Sequence, residues 1–518
     1  MTSGTRTHGT RKYGTRGMRS GPRRWAAAPA ALLVALAAAA CGLTPGAVSA
    51  IKKGGGVVAA GGGAGVGAGG SGAGAAAGAG GAGTGGAGST GLAAGSGGAL
   101  GDTGGAAAGG GSLGTGSAGG TTGGGTGGGT SGGTGGTAAP AGAPNAPYQR
   151  VGISATTIHL GLHAPQTGAA PVPLQAFATG SKLFWENHKL FGRQVVVDFQ
   201  DDQYNPSVAR SVCEQLSRQD FLILGGAGTD QIQACASDPV LASTHTPYLS
   251  AGVTTNGLTN LFNYFAISQT YAAQAPEVWT MASQLFSTQA KGKWAIVTEQ
   301  TPNFNDVTAA MSQVLSQHHA SYTVIRSPKV FQQSDASTAV SKAKQFGATT
   351  VFLDVDPNFW IDMVQGASQQ LYTPAWVGPG ITNGENLVGG PVCGEQPTVS
   401  AAFLSPYFAL DRQPPGFTSQ NNPPPDAAPA ERDLEMLVYA TNEAEYYMLN
   451  SLGSIDNLTR DNFIAAMPKF TATYGQQLDV LPTVSFKGGH FGGTGAWVEK
   501  LDCSKAQYVT VGTAPLSS

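Results

Sequence analysis

Acidic residues are missing from the first hundred positions of this 518-residue sequence, in which the first carboxylate is Asp102. Seven Lys and Arg residues precede Trp25, and an apolar run then extends to Ala40. That run is shorter than the roughly 20 apolar residues of a membrane-spanning helix. A basic segment, an apolar run and small residues before a cleavage point predict a secretory signal peptide over residues 1–40. Translation from Met18 would leave the same signal complete.

Large apolar side chains are almost absent from residues 51–140, where Gly fills 43 of the 90 positions. Such a segment buries too little apolar surface to offset its ordering entropy. It has no strict three-residue period, which excludes collagen. Its many G-x-G-x-x-G matches lack the flanking strand and helix of a dinucleotide site. We therefore predict a flexible tether over residues 41–147, with a coil dimension on the order of 50 to 60 Å.

Strong charge and catalytic motifs are also missing. The formal net charge is −2, which argues against a nucleic-acid partner because such proteins need a basic face. Residues 148–518 contain no C-x-x-C, H-E-x-x-H or G-x-S-x-G motif, and the loop at 225–230 has no Walker A lysine. We therefore expect no metal, no cofactor and no enzyme, although spacing alone does not exclude a Ser/His/Asp triad.

The sequence has only five cysteines. Cys41 directly follows three alanines, which resembles the processing site of a bacterial lipoprotein, where the Cys thiol is lipidated. The usual Leu three residues earlier is Ala38 here, so ordinary cleavage before an incidental Cys is the alternative. The other four form an even set, typical of an oxidising compartment. Cys213 and Cys235 fall on consecutive predicted helices and can form a bridge, which leaves Cys393 and Cys503 as the second pair by elimination.

The segment Asp198–Gly252 carries most of the information about the fold. Predicted strands end at Phe199, Leu224 and Ser250, and two predicted helices separate them. Asn205-Pro206 is a strong helix start, with Asn as the cap. Strands that alternate with helices predict a parallel sheet, which binds ligands beyond the carboxyl ends of its strands.

The same alternation of strands and helices recurs from Trp294 to Val377. We therefore predict an α/β fold of two doubly wound, Rossmann-like lobes within residues 148–518. A long helix is expected over residues 433–452. The tail at 483–508 predicts β-hairpins that turn at Lys487-Gly488-Gly489 and at Gly492-Gly493.

Five segments in the correct order resemble the type I periplasmic binding proteins, the solute-binding components of ABC importers, and among them the branched-chain amino acid and amide group. They are GISATTIHLGLHAPQTG (152–168), DDQYNPSVARSVCEQLSRQ (201–219), the loop 224–229, TPYLSA (246–251) and AWVGPG (375–380). The resemblance extends over about 370 residues.

This resemblance implies a monomer of two lobes, joined by three crossovers, that closes over a ligand. The first lobe would comprise 149–268 and 400–470, and the second 269–399 and 471–518. First-lobe contacts would come from the loops after three strands: Thr167 and Gly168; Ala227, Gly228 and Thr229; Ser250, Ala251 and Thr255. Helix capping is an equally good explanation for each hydroxyl.

In the second lobe, Phe304 stands where the family has an aromatic residue over the ligand. The acid that pairs with the ammonium of amino-acid ligands is replaced by Gly380. Asp356, or Asp354, is in a position to substitute for it, although turn formation before Pro357 is the simpler role.

The resemblance implies an extracytoplasmic protein that captures a small polar metabolite for an ABC permease and ATPase. The signal peptide and Cys41 add the expectation of a lipoprotein anchored to the outer face of the cell membrane. The expected ligand is an amino acid, an amide or a small organic acid. The alternative is a ligand-sensing surface lipoprotein of the same fold that has no transport partner.

Overall fold

The structure is a computed structural model that describes residues 146–380, 384, 386–407, 409–413, 417 and 429–515. The expected signal peptide, the lipidation site Cys41 and the Gly-rich tether lie outside these residues. Among the described residues, no helix combines the length and the apolar character that crossing a membrane requires.

Fourteen strands are present in the described part of the chain. In chain order they are β1 (Thr157–Ala164), β2 (Gln194–Asp201), β3 (Ile223–Gly225), β4 (Tyr248–Ser250), β5 (Tyr264–Ala266), β6 (Lys293–Glu299), β7 (Tyr322–Ser327), β8 (Ala348–Asp354), β9 (Ala375–Pro379), β10 (Ser400–Ser405), β11 (Thr471–Ala472), β12 (Val484–Ser485), β13 (Gly495–Asp502) and β14 (Gln507–Pro515).

Twelve α-helices accompany them in the same ranges. They are α1 (Leu174–Trp185), α2 (Pro206–Leu216), α3 (Thr229–Ala236), α4 (Pro239–Ser243), α5 (Tyr271–Leu285), α6 (Ser287–Ala290), α7 (Asn305–Gln317), α8 (Gln333–Phe346), α9 (Pro357–Gln369), α10 (Asn386–Glu395), α11 (Pro429–Asn450) and α12 (Arg460–Ala466).

The first lobe is built on a five-stranded parallel sheet in the order β2-β1-β3-β4-β5. Strand β1 is fully buried at Ile158 and Leu160. Helix α2 begins as predicted, since the Asn205 side chain accepts hydrogen bonds from the N–H groups of Ser207 (2.9 Å) and Val208 (3.4 Å). The strand order reverses between β1 and β3, and a crevice therefore opens beyond their carboxyl ends.

The second lobe is built on a seven-stranded sheet in the order β14-β13-β10-β9-β8-β6-β7. Strands β6 to β10 run parallel, and β13 and β14 form an antiparallel edge. The α/β fold of two doubly wound lobes is therefore confirmed.

The lobe boundaries differ from the expected ones in two places. Strand β10 was expected in the first lobe, but it pairs with β9 and β13 in the second. Residues 471–486 were expected in the second lobe, but they pack into the first-lobe core, where the Phe486 ring lies 5.4 Å from that of Phe265. Apolar strands such as Ala401–Leu404 carry no sign of which sheet they join, so pairing decides the lobe.

The tail confirms one of the predicted turns. The chain turns at Lys487-Gly488-Gly489, where the Gly489 N–H donates to the Phe486 carbonyl at 3.1 Å, and Val484 pairs antiparallel with Gly493 beyond the turn. Gly492-Gly493 is not a turn of its own, because Gly492 lies beside β5 and donates to the Ala266 carbonyl at 2.7 Å, and the hairpin of β13 and β14 turns at residues 503–506. Helices α5 and α10 were not predicted, because each contains an internal proline, Pro276 and Pro391, which is normally a helix breaker.

The structure pairs the four described cysteines as the sequence predicts. Cys213 on α2 lies opposite Cys235 on α3, with a Cα–Cα distance of 5.8 Å. Cys393 on α10 lies opposite Cys503 in the β13–β14 turn, with a Cα–Cα distance of 5.3 Å. Both distances suit a disulfide.

The two bridges should differ in their contribution to stability. The Cys393–Cys503 bridge closes 110 residues and the Cys213–Cys235 bridge closes 22, so chain entropy predicts losses of about 5 and about 3 kcal/mol in the free energy of unfolding when each is removed. Urea unfolding of the two double Cys→Ala variants measures this difference. Four free thiols in the unreduced, denatured wild type would contradict the pairing.

Candidate functional site

A cavity of about 150 Å³ lies between the two lobes. The loops after β1, β2 and β3 bound it on one side, and those after β6 and β8 bound it on the other. Its polar lining residues are Tyr204, Thr229, Tyr271, Glu299, Asp356, Asn358 and Tyr407. Its larger apolar lining residues are Val172, Phe177, Phe304, Val355, Ile361, Leu387, Val388, Leu434 and Leu437. The cavity therefore has a polar region and a wide apolar wall, to which α1, α10 and α11 contribute.

The glycine loop between β3 and α3 forms one wall of the cavity. Gly228 has φ +85°, a conformation that residues with a side chain rarely adopt. A Cβ atom on Gly226 would lie 2.9 Å from the Phe177 ring, so the loop passes too close for any side chain there. Helix α3 begins at Thr229 without a side-chain cap. Its first N–H groups are therefore suited to an acceptor group of a ligand.

Tyr204 reaches the cavity from a strained turn after β2. Gln203 and Tyr204 both have positive φ, 55° and 52°, and their N–H groups donate to the carboxylates of Asp201 (2.8 Å) and Asp202 (2.9 Å). These hydrogen bonds offset a backbone conformation that costs about 1 to 3 kcal/mol per residue.

The Asp202 carboxylate is fixed by contacts with buried side chains. Its second oxygen lies 2.8 Å from Nδ1 of His163, whose Nε2 lies 2.7 Å from the Tyr248 hydroxyl. All three side chains are fully buried. A Cβ atom on Gly225 would lie 2.2 Å from the Tyr248 hydroxyl, so the buried chain also supports the glycine loop.

Five of the ten predicted ligand residues line the cavity: Ala227, Gly228, Thr229, Phe304 and Asp356. Thr229 lines the cavity together with Tyr271. Asp356 forms the turn before Pro357, as the simpler interpretation predicts. Its side chain accepts from the Asn358 N–H at 2.7 Å and caps α9. The same side chain also faces the cavity, so capping and lining occur together.

The other five lie outside this cavity. The Thr167 hydroxyl donates to Asp201 at 2.7 Å, and Gly168 passes so close to the Gln203 carbonyl that a Cβ atom would lie 2.0 Å from it. Ser250 and Ala251 line a smaller neighbouring cavity of about 50 Å³. Thr255 donates to Asp306 of the second lobe through its N–H (2.7 Å) and its hydroxyl (3.0 Å).

The prediction missed Glu299, Tyr204 and Tyr271. Burial, together with the negative charges of Asp230 and Asp356 and against the opposing charge of Lys329, raises the pKa of Glu299 to about 7. Burial likewise raises the pKa of Asp356 to about 6, against the lowering effect of its hydrogen bonds from Asn358. Neither Gly380 nor Asp354 lines the cavity. The only sequence signal for Glu299 was its position directly after a predicted strand.

Polar contacts join the lobes beside the cavity. Asp230, in the first turn of α3, accepts hydrogen bonds from Thr301 (3.2 Å) and Asn303 (2.6 Å) of the second lobe and forms an ion pair with Lys329. Asn256 donates to Asn303 at 2.7 Å. These contacts form only when the lobes meet, and they therefore favour closure.

Two α/β lobes with a cavity between them are the architecture of a two-lobed solute-binding protein. A family model described as a periplasmic binding protein matches residues 157–498, and the chain belongs to this family. The family resemblance seen in the sequence is therefore confirmed. Its members are extracytoplasmic solute-binding proteins, not enzymes.

Solved structures with the same fold come from several organisms. A fatty acid ABC transporter substrate-binding protein from Thermomonospora curvata has a TM-score of 0.59 and 16% identity, over 71% of this chain and 95% of that one. A solute-binding protein from Rhodopseudomonas palustris BisB5, in complex with 3,4-dihydroxybenzoic acid, has a TM-score of 0.58 and 15% identity, over 70% and 98%. A leucine-binding protein from Thermotoga maritima MSB8 has a TM-score of 0.56 and 12% identity, over 69% and 99%. At these identities the similarity shows the fold alone, and none of the curated proteins compared with this sequence matches it.

Asp230→Asn should shift the balance between the lobes toward an open form. The variant removes the charge that holds Lys329 and weakens two further hydrogen bonds, a loss of about 2 kcal/mol. Spin labels at the exposed positions Gln215 and Lys342, one in each lobe, should report a longer mean distance. The exposed Asp456→Asn variant is the control. Identical distance distributions for both variants would contradict a closing role for Asp230.

Proposed function

We propose that this protein captures one small solute with an apolar body between its lobes and delivers it to an ABC importer. The observation that carries the proposal is the cavity between the lobes, whose aliphatic and aromatic wall faces a compact polar region. Ligand pockets in general combine such a wall with a few placed polar groups. The family supplies the transport partner, an ABC permease and its ATPase.

The cavity volume supports a ligand of modest size. An apolar cavity of about 150 Å³ in another protein holds benzene, so a single ring or a short branched chain suits this one. The apolar wall favours solutes with an apolar body over very small polar ones. One protein with this fold is named as a fatty acid transporter component, and another was solved in complex with 3,4-dihydroxybenzoic acid. Both compounds have an apolar body.

Ligand capture can be tested with the purified protein. Native mass spectrometry detects any solute that is carried through purification, and thermal shift with a metabolite library detects others, since a ligand at 100 times its Kd stabilises the fold by about 2.7 kcal/mol. Ala227→Trp fills the cavity and should abolish the response. Ala309→Trp places the same side chain on the exposed face of α7 and should leave it intact. A library that stabilises neither protein, or an unchanged response in Ala227→Trp, would refute the proposal.

The proposed anchor is a lipid on Cys41. It is supported by the basic and apolar segments before Cys41 and by the three alanines directly before it. Cells that produce the wild type should incorporate a radiolabelled fatty acid into the protein, and Cys41→Ala should lose the label and appear in the medium. Cys213→Ala serves as the control for loss of a cysteine. Label that persists in Cys41→Ala would show that Cys41 is not the lipid site.

A further inference from the structure

Glu299 is a buried carboxylate that faces the cavity. It is the last residue of β6, is 4% exposed and lines the cavity wall. Within the described ranges, no side chain or backbone group donates a hydrogen bond to its carboxylate or forms an ion pair with it. Lys329 is near enough for its charge to act on Glu299, but its ammonium group is paired with Asp230. The acceptor capacity of Glu299 is therefore available to whatever enters the cavity.

An unpaired carboxylate in such a place is unfavourable by itself. Removing an ionised group from water without a partner carries a large desolvation penalty, and a charged partner of opposite sign offsets it. A second buried carboxylate, Asp356, is 8% exposed and lines the same cavity. Its side chain accepts from the Asn358 N–H, and in the ionised form its charge adds to the negative potential of the cavity.

The aromatic lining has the same preference as the two acids. Tyr204, Tyr271 and Phe304 line the cavity together with Glu299, and the faces of aromatic rings attract cations. Burial raises the pKa of both phenols well above the ordinary value, with nearby carboxylates adding to the effect, so both stay neutral.

The charges around the cavity disfavour an anion. No Lys, Arg or His belongs to the described lining. The positive end of α3 does face the cavity, but Asp230 lies in the first turn of that helix and opposes its field.

We propose that the captured solute carries a positively charged nitrogen, which binds to the Glu299 carboxylate while the apolar body lies against the aromatic wall. This inference rests on the proposed function and names its ligand class: organic ammonium compounds with an apolar substituent. Glu299 would then pair with the ligand's ammonium group, the role that the family resemblance assigned to the position of Gly380. Glu299 lies on β6, whereas Gly380 follows β9.

Three probes of one shape test the charge preference by titration calorimetry at pH 8. They are 2-phenylethylamine (cation), 2-phenylethanol (neutral) and phenylacetate (anion). The amine should bind at least tenfold more tightly than the alcohol, because a buried hydrogen bond between charged groups is stronger than one to a neutral hydroxyl, and phenylacetate should bind most weakly. An amine that binds no better than the alcohol, including the case in which neither binds, overturns the inference.

Glu299→Gln is the matched variant, because it keeps the shape and removes the charge. It should lose at least tenfold in affinity for the amine and keep its affinity for the alcohol. Glu186→Gln, at the exposed residue directly after α1, should change neither affinity. Thermal unfolding confirms that each variant folds. Equal losses for amine and alcohol in Glu299→Gln would count against an ion pair.

Benzyltrimethylammonium keeps its charge at every pH, and its affinity therefore reports the carboxyl groups alone. Glu299 is ionised above its pKa of about 7 and Asp356 above about 6. Affinity should therefore fall as the pH is lowered from 8 to 5, and the fall should be smaller in Glu299→Gln. A flat profile contradicts the inference. A neutral or anionic solute that co-purifies with the wild type and is lost in Ala227→Trp overturns the inference and leaves the proposed function intact.

Discussion

The cleft depends on one buried chain of hydrogen bonds, from the backbone of Tyr204 through Asp202 and His163 to the Tyr248 hydroxyl. It links the carboxyl end of β1 and the turn after β2 to the first residue of β4. The strained turn that carries Tyr204 is fixed by one end of this chain, and the glycine loop rests on the other. A strained loop forms a rigid wall of a ligand site only if buried contacts fix its conformation. In the first lobe a buried polar network supplies these contacts.

Much of the fold could be predicted because local signals and tertiary structure agree. Helix α7 occupies the predicted residues 305–317, and the Asn205 cap forms with the expected donors. The prediction failed where distant contacts decide the outcome. An apolar strand such as β10 suits either sheet, and Pro276 lies inside α5 because packing of the helix outweighs the penalty for a proline.

The candidate site, too, could be predicted in part from the sequence. Topology alone places the loop at Ala227–Thr229 beside the crevice, since the carboxyl ends of β1 and β3 meet there. The directions of Ser250 and Thr255 depend on their partners Ala251 and Asp306, which no local pattern reveals. Glu299 was missed because an acid at the end of a strand is ordinary in a sequence, and only the cavity around it makes it distinctive.

Each cysteine pair lies within a single lobe: Cys213 and Cys235 in the first, Cys393 and Cys503 in the second. No disulfide among the described residues therefore spans the cleft, where the lobes are joined by the chain crossovers, by polar contacts and by apolar packing shared between them. The stiffness of each lobe and the freedom of the hinge are thus set by separate bonds. A receptor of this design can be robust outside the cell and still open easily enough to release its cargo.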